Sequence, residues 1–381
     1  MEFVEVKEGK TILNVPKEFL VKRVFYNPVM ELVRDMNIVI TQSWIDYKNL
    51  KNKSYLDLLS GTGANGVRIA NETSVKKVCL NEISSDAIKL IKKNIESNNL
   101  QNKTILLHRN AKKLYVLLDE RFGFVDIDPF GSPIYYIPYI YNFLDRGSLL
   151  STTATDTRTL FGLKEDTALR RYAMKTVSVD FYREYGVRVL ATSVILTLSR
   201  YSILAKPIFG YSKRHFVKVY FEIDVGRSKL NKFLKENISF LNYCTRCLWR
   251  EYSNEPIGKC GFCGNDAKVS YPIYSGKLFD EKFAEFVIGK KEEFSYLKNS
   301  KEIFGIFENV ENENISNHYF DVHEFARRYK IEQIPSLENI SNKLKENGFV
   351  ASRTVFSKTA IRTNASFEDF VEALGNPKTK T

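Results

Sequence analysis

Short apolar runs alternate with helix-period segments through the first third of the chain, and each run gives way to a polar cluster. Leu56-Asp57-Leu58-Leu59 precedes Ser60-Gly61-Thr62-Gly63-Ala64-Asn65-Gly66, and a helix-compatible segment starts near Val67. Val78-Cys79-Leu80 ends at Asn81-Glu82. The helix-like stretch 85–98 leads to Ile105-Leu106-Leu107, which ends at Asn110-Ala111. The fourth run, residues 122–127, ends at Asp128-Pro129-Phe130-Gly131. Short apolar runs bounded by turn residues and separated by helical segments read as buried parallel strands with crossover helices. The pattern predicts an α/β fold, a doubly wound Rossmann-like sheet whose ligands gather at the carboxyl edge of the strands.

The polar residues at those strand ends suggest the chemistry. Gly61, Gly63 and Gly66 let backbone approach a nucleotide-like ligand closely, and they satisfy a dinucleotide fingerprint as well. A nicotinamide or flavin enzyme is therefore a rival reading. Asp57, four residues ahead of Gly61, fits the S-adenosylmethionine version of the motif better, whereas Glu82 could hold ribose hydroxyls in either class. The Asp128-Pro129-Phe130-Gly131 run suits neither a nicotinamide nor a flavin. A carboxylate and the Pro129 carbonyl can accept two N–H bonds from an exocyclic amine while the Phe130 ring stacks on its heterocycle. Proline fixes its own φ and donates no N–H, so such a turn is stiff and rich in acceptors. Asp-Pro also opens ordinary turns with Gly two residues later, and that reading stands beside the chemical one. Together the motifs favour a methyltransferase.

Composition sets the frame. At 381 residues the chain is long enough for two domains, expected at 1–230 and 231–381. Hydrophobic residues make up 44% and charged residues 27%, as in a globular protein, and no apolar run nears the roughly 20 residues of a membrane span. Met1-Glu2-Phe3 opens a charged mixture rather than a signal peptide, so a cytoplasmic protein is expected, with no membrane association and no obligatory protein partner evident. The net charge is +12; residues 1–230 carry 35 Lys/Arg against 24 Asp/Glu, and the remainder carries 22 against 21. The excess thus sits with the expected catalytic part, which suits a polyanionic substrate, although moderately basic proteins need not bind nucleic acid.

Cys244-x-x-Cys247 and Cys260-x-x-Cys263 are separated by twelve residues, and four thiolates at that spacing make a closed tetrahedral Zn2+ site in a ribbon at about 240–270. The metal of so small a unit would be structural and would supply folding energy. Trp249 and Tyr252, between the pairs, read as cover for the metal or as base-stacking rings, the former preferred. Cys79 lies in an apolar run and reads as inert core. Trp44 and the many tyrosines read as packing residues, and no histidine has metal-ligand or catalytic spacing. Further on, residues 217–225 read as a strand continuing toward the ribbon. Ser336 caps a helix through Leu337, Ile340 and Leu344, Gly348 ends it, and residues 349–356 read as a strand. A helix followed by a hairpin gives a winged-helix-like element with Arg353, Lys358 and Arg362 available to an RNA backbone, or simply a packing domain with solvated charges.

With these motifs in one chain, the sequence resembles the tRNA (guanine(26)-N2)-dimethyltransferase family in its archaeal form, over nearly its whole length. Further family-like stretches run from Phe25-Tyr26-Asn27-Pro28 to Arg34-Asp35, then Thr153-Ala154-Thr155-Asp156, Tyr185-Gly186-Val187-Arg188 and 352–362. The resemblance implies transfer of one or two methyl groups from S-adenosylmethionine to guanine N2 of tRNA. It places Arg34 at the carboxylate end of that donor, Arg68 beside it, Glu82 on its ribose, and Asn110 and Ala111 at its adenine. Phe25 and Phe130 would sandwich the flipped guanine, with Asp128 at N2. Glu82 and Asn110 depart from the aspartates frequent at those positions: the first keeps its carboxylate on a longer arm, and the second loses the charge. Competing readings are an amino-methyltransferase of another RNA guanine or of DNA adenine, a noncatalytic zinc-ribbon RNA-binding protein and, more distantly, a dehydrogenase.

Overall fold

The computed structural model describes residues 3–17, 20–21 and 24–375. Seven strands form one sheet: β1 Ser54–Asp57, β2 Lys77–Asn81, β3 Thr104–Leu107, β4 Phe124–Ile127, β5 Leu149–Ala154, β6 Ile203–Lys213 and β7 Phe216–Val225. Their order across the sheet is 3-2-1-4-5-7-6. β1 pairs in parallel with both β2 and β4, so the winding reverses at β1 and leaves a crevice at the carboxyl ends of β1 and β4. The expected parallel sheet is in fact mixed. A turn at the exposed Arg214 and His215 folds the chain straight back, and β7 enters between β5 and β6 antiparallel to both. This insertion sets Lys218 opposite Thr153 on β5.

Helices α1 Glu31–Tyr47, α2 Ala64–Glu72, α3 Ser85–Ser97 and α4 Tyr182–Ser199 complete the body. α3 starts at Ser84, whose side chain accepts from the Ala87 N–H, and its apolar positions Ala87, Leu90, Ile91 and Ile95 form the single stripe of an amphipathic helix. α1 is buried on every side from Glu31 to Ile45, because it packs against α2 and also against Glu281–Ile288 from the second half of the chain. There the Trp44 ring meets Phe283 edge to face at 5.2 Å, and its indole N–H donates to the Gly147 carbonyl at 3.1 Å. An N-terminal hairpin, Phe3–Glu8 with Thr11–Pro16, packs on α3: Asn94 accepts from the Asn14 N–H at 2.6 Å and donates to the Thr62 carbonyl at 3.1 Å, tying hairpin, helix and glycine turn together.

Beyond residue 230 lie two small antiparallel sheets. The first, Arg250–Ser253, Ile238–Tyr243 and Lys268–Tyr274, carries the cysteines at its end. In the second, Phe320–Asp321 and Ala351–Arg353 flank Ala360–Thr363, and the helices Val322–Tyr329 and Leu337–Glu346 lie between the first and second strands in sequence. Ser336 caps the latter helix as its sequence suggests, but only Ala351–Arg353 of the expected 349–356 strand pairs. The apolar core runs continuously across residue 230. A buried ionic cluster fastens the halves further. Arg362, expected to be available to an RNA backbone, is instead fully buried and reaches Glu184 of α4 at 2.6 Å and Glu313 at 2.7 Å, while Arg188 meets Glu184 at 2.7 Å. His318 lies among these guanidiniums, and burial together with Arg250, Arg362 and Arg188 pushes its pKa well below the usual imidazole value. Removing one partner from such a cluster strands a charge away from water. Arg362→Leu is therefore expected to destabilise the protein by about 3–5 kcal/mol, read as a lowered denaturant midpoint.

Candidate active site

The glycine turn, Glu82 and Asp128 converge at the carboxyl edge around the β1/β4 crevice. Gly61 and Gly63 have φ of 55° and 76°, left-handed values that side chains avoid. Gly66 opens the first turn of α2, where a Cβ would stand 2.7 Å from Leu80 and 2.9 Å from an Asp57 oxygen. Asp57 itself is buried and accepts from the Gly66 N–H at 3.0 Å, so its carboxyl braces the turn from beneath. Burial, with Asp126 and Asp128 close by, pushes its pKa well above the carboxylate range. Glu82 is half-buried. One oxygen accepts from the Gly61 N–H at 2.9 Å and the other from the Ile83 and Ser84 N–H groups at 2.8 and 2.9 Å. Asn110 is exposed and caps the short turn after β3 by accepting from the Lys112 N–H, with Ala111 buried beside it.

Asp128 is half-buried at the end of β4, and Pro129 is buried behind it. Gly131, with φ of 86°, exchanges bonds with Thr155: its N–H donates to Thr155 Oγ1 and its carbonyl accepts from the Thr155 N–H, both at 2.8 Å. The turn is thereby stitched to the end of β5. Burial raises the Asp128 pKa to about 6, with Asp126 adding to the rise, while Lys218, Arg34 and a Thr153 hydrogen bond hold it from climbing further. A carboxyl poised there is ionised at neutral pH yet basic enough to take a proton.

Phe130 is 73% exposed, and its ring meets Phe25 edge to face with centroids 4.8 Å apart. A base held between two rings needs about 7 Å between them, twice the contact distance of carbon atoms, so the expected sandwich would require these rings to part.

The two arginines lie on a hub that the sequence does not advertise. Glu8, at the end of the first hairpin strand, accepts from Arg34 Nε at 2.7 Å and Nη2 at 2.5 Å, from the Tyr26 hydroxyl at 2.5 Å and from Arg68 Nη1 at 3.1 Å. Burial pushes the Glu8 carboxyl up, and these partners more than reverse it, leaving it below the usual range. Arg68, expected beside a ligand, is wholly buried and also meets Asp35 at 2.7 Å and Glu72 at 2.8 Å; it braces Glu8 from beneath. Arg34 keeps 10% side-chain exposure and also donates to the Asn27 carbonyl.

Two further buried charges sit under Asp128. Lys218 Nζ, without solvent contact, donates to Thr153 Oγ1 at 2.9 Å and pairs with Asp126 at 3.3 Å. A lysine and an aspartate inside otherwise apolar strands were the available signal. Only the strand order decides that they meet.

At the ribbon, the four sulfurs lie within 4.8 Å of one another, with Cys244 Sγ 3.6 Å from Cys263 Sγ and Cys247 Sγ 3.5 Å from Cys260 Sγ. A tetrahedron of thiolates at about 2.3 Å has edges of about 3.8 Å, so the donor set fits a zinc ion. Trp249 is buried, and a Cβ on Gly261 would touch its ring at 3.2 Å; it covers the cluster. Tyr252 donates to the Asn317 carbonyl and is a packing residue too.

A mixed sheet with this strand order, a glycine turn after β1 and a carboxylate turn after β4 is the scaffold of a methyltransferase. The chain belongs to the N2,N2-dimethylguanosine tRNA methyltransferase family, whose model matches residues 5–375. It is an S-adenosylmethionine-dependent enzyme of tRNA guanine N2. Among its relatives, the tRNA (guanine(26)-N(2))-dimethyltransferase of Methanobrevibacter smithii is 32% identical, the match covering 97% of this chain and 96% of that protein. The tRNA (guanine(26)-N(2)/guanine(27)-N(2))-dimethyltransferase of Aquifex aeolicus is also 32% identical, over 98% and 96%. A solved structure, Trm1 from Pyrococcus horikoshii in complex with S-adenosyl-L-methionine, superposes with a TM-score of 0.86 at 29% identity, covering 97% of this chain and 99% of that one.

The tight fit at Gly66 can be tested. Gly66→Ala forces Leu80 and Asp57 aside and is expected to cost about 1–3 kcal/mol of stability, read by chemical denaturation.

Proposed function

We propose that this chain transfers one or two methyl groups from S-adenosylmethionine to N2 of guanine 26 in tRNA, with Asp128 as the group that accepts the N2 proton. One observation carries the reading: a carboxyl, raised to about 6 and fixed by its proline neighbour, stands at the β4 end next to the Phe25–Phe130 ring pair, which would part to admit a base. The names of the archaeal relatives support position 26. The Aquifex relative, at the same identity, favours guanine 27 as a second acceptor, which nucleoside mapping of the product tRNA would reveal.

S-adenosylmethionine, when bound, supplies a methyl group on a sulfonium sulfur. The glycine turn would carry its backbone contacts, Glu82 would meet the ribose at lone pairs its three N–H partners leave free, and Asn110 and Ala111 would border the adenine. Arg34 would face the amino-acid end, with Arg68 acting on it through Glu8; Asp57 would serve by holding the turn. Guanine N2 is a weak nucleophile because its lone pair is delocalised into the ring. Bonds from its N–H groups to Asp128 and the Pro129 carbonyl draw the nitrogen toward tetrahedral geometry and localise that pair. The pair then forms the bond to the methyl carbon, the S–C bonding electrons stay with sulfur, and the N2 proton passes to Asp128. In-line placement at about 3–3.5 Å supplies much of the acceleration. A guanine swung out of the tRNA stack costs a few kcal/mol, which stacking on Phe25 and Phe130 offsets.

Residues 1–230 would thus hold the chemistry, and 231–381 would carry a structural zinc ion on Cys244, Cys247, Cys260 and Cys263. A winged-helix-like part there, built from Val322–Tyr329, Leu337–Glu346 and the hairpin Ala351–Thr363, would lie along the tRNA backbone. A cytoplasmic location belongs to this reading of a tRNA-modifying enzyme; among the described residues no helix is long and apolar enough to cross a membrane.

Asp128→Asn is expected to lower methyl transfer by about 10²–10⁴-fold while S-adenosylmethionine and tRNA still bind, measured by tritiated methyl transfer alongside filter binding. Because protonation removes the acceptor, wild-type turnover should fall as pH drops through about 6 and level off above it. Intact activity in Asp128→Asn would refute the assignment. Cys260→Ser, or exhaustive chelation, should release about one equivalent of zinc and lower the melting temperature, read by metal analysis and calorimetry.

A further inference from the structure

We propose that Lys218 and Thr153 are positioning residues for methyl transfer, a buried ammonium acting through a threonine hydroxyl to hold the Asp128 carboxylate ionised and aimed at the substrate amine. The inference rests on the reading of Asp128 just given and adds the device that prepares it.

The geometry begins with strand register. Lys218 on β7 lies opposite Thr153 on β5, while Asp126 in β4 and Asp128 just past its end, two residues apart, project to one face beside β5. Lys218 Nζ has no contact with solvent and donates to Thr153 Oγ1 at 2.9 Å and to Asp126 Oδ1 at 3.3 Å. Having accepted that bond, the Thr153 hydroxyl still has its one hydrogen to give, and the register that sets Ile127 against Thr152 brings Asp128 alongside Thr153 as the acceptor for it. A relay of Lys218 N–H to Thr153 O–H to Asp128 carboxylate results.

Asp126 is the anchor of this relay. Its second oxygen accepts from Asn65 Nδ2 at 3.1 Å; Asn65 also donates to the Tyr55 hydroxyl at 3.1 Å and accepts from Asn37 Nδ2 at 2.8 Å, and Asn37 accepts from the Tyr220 hydroxyl at 2.6 Å. With so many partners Asp126 cannot turn toward a ligand, and Lys218 is held by it. The charged and titratable groups facing Asp128 are therefore Asp126 on its own strand, Lys218 and Tyr220 from β7, Asp57 from β1 and Arg34 from α1. Of the two cations among them, Arg34 is already bound bidentately to Glu8. Lys218 meets Asp126 through one longer contact of 3.3 Å and keeps its 2.9 Å bond to Thr153, which makes it the main counterweight to burial at Asp128.

Retaining a lysine with no water around it is costly, and the pairing with Asp126 alone adds no function. A location one hydroxyl away from the proton-accepting carboxylate gives it one. The ammonium favours the ionised form, and the directed O–H fixes which oxygen of Asp128 remains free for the N2 proton.

The test is single-turnover methyl transfer from pH 5.5 to 9 at saturating tRNA and S-adenosylmethionine, for wild type, Lys218→Met, Lys218→Arg, Thr153→Val and Asp128→Asn, with both dissociation constants measured. Without the ammonium, the acid limb of Lys218→Met should move up by about one pH unit, with a roughly fivefold loss near pH 6 that narrows in alkali. Thr153→Val should shift the limb in the same direction by less, and Lys218→Arg should recover most of the rate. Both dissociation constants should stay within about threefold of wild type. An unshifted limb in Thr153→Val, or a loss that is uniform across pH, overturns the inference; Thr153→Val decides alone if Lys218→Met does not fold. An inactive Asp128→Asn beside an unshifted Thr153→Val rejects the relay only, whereas an active Asp128→Asn rejects the Asp128 reading and the relay with it.

Discussion

Parallel pairing of β1 with β4, in the register that sets Asp57 against Asp126, is the constraint on which the site depends. A parallel pair ends with both strands pointing the same way, so the polar residues that follow each strand gather at one edge. The winding reverses between these strands, and no crossover helix covers the gap. The glycine turn and the Asp128 turn are neighbours for that reason, although some seventy residues separate them in sequence.

Much of the chain outside the sheet keeps that edge rigid. The N-terminal hairpin contributes Glu8, whose carboxylate gathers Arg34, Arg68 and Tyr26. Asn94 fixes the glycine turn to the same hairpin. The second half of the chain buries the far side of α1, with Lys298 meeting Glu31 at 2.7 Å and Asn299 donating to Asp35 at 2.8 Å. α1 carries Arg34, so the second half of the chain reaches the catalytic edge through this helix. Rigid framing of this kind suits a reaction whose rate depends on in-line placement of two atoms. The exposed Phe130 and the half-buried Phe25, in contact edge to face, lie outside this rigid frame.

Buried charges are distributed unevenly in this protein. Glu8, Asp35 and Glu72 meet Arg34 and Arg68 on one side of the edge, and Asp126 meets Lys218 beneath it. Each cluster is closed by hydrogen bonds, as charges removed from water must be. Asp57 and Asp128 differ from these, because burial raises both carboxyls: Asp57 stays bonded to the Gly66 N–H, whereas Asp128, raised to about 6, stands half-buried at the end of β4.

The sequence alone determined the strand–helix repeat, the turns at the ends of the first four strands and the four-cysteine ribbon. These are local matters: periodicity, glycine's access to left-handed backbone, and the short loops that let cysteine pairs share a metal. The motif residues Asp128, Gly61, Glu82 and the cysteines were legible for the same reason. The tertiary structure decided what depends on distant pairing. It inserted β7 antiparallel between β5 and β6, bringing Lys218 to Thr153; it spent Arg68 on carboxylates; and it set Phe25 against Phe130 edge to face instead of apart. No local pattern encodes these contacts, because each is fixed by which strand or hairpin comes to lie beside which, and that is settled by the burial of the whole core.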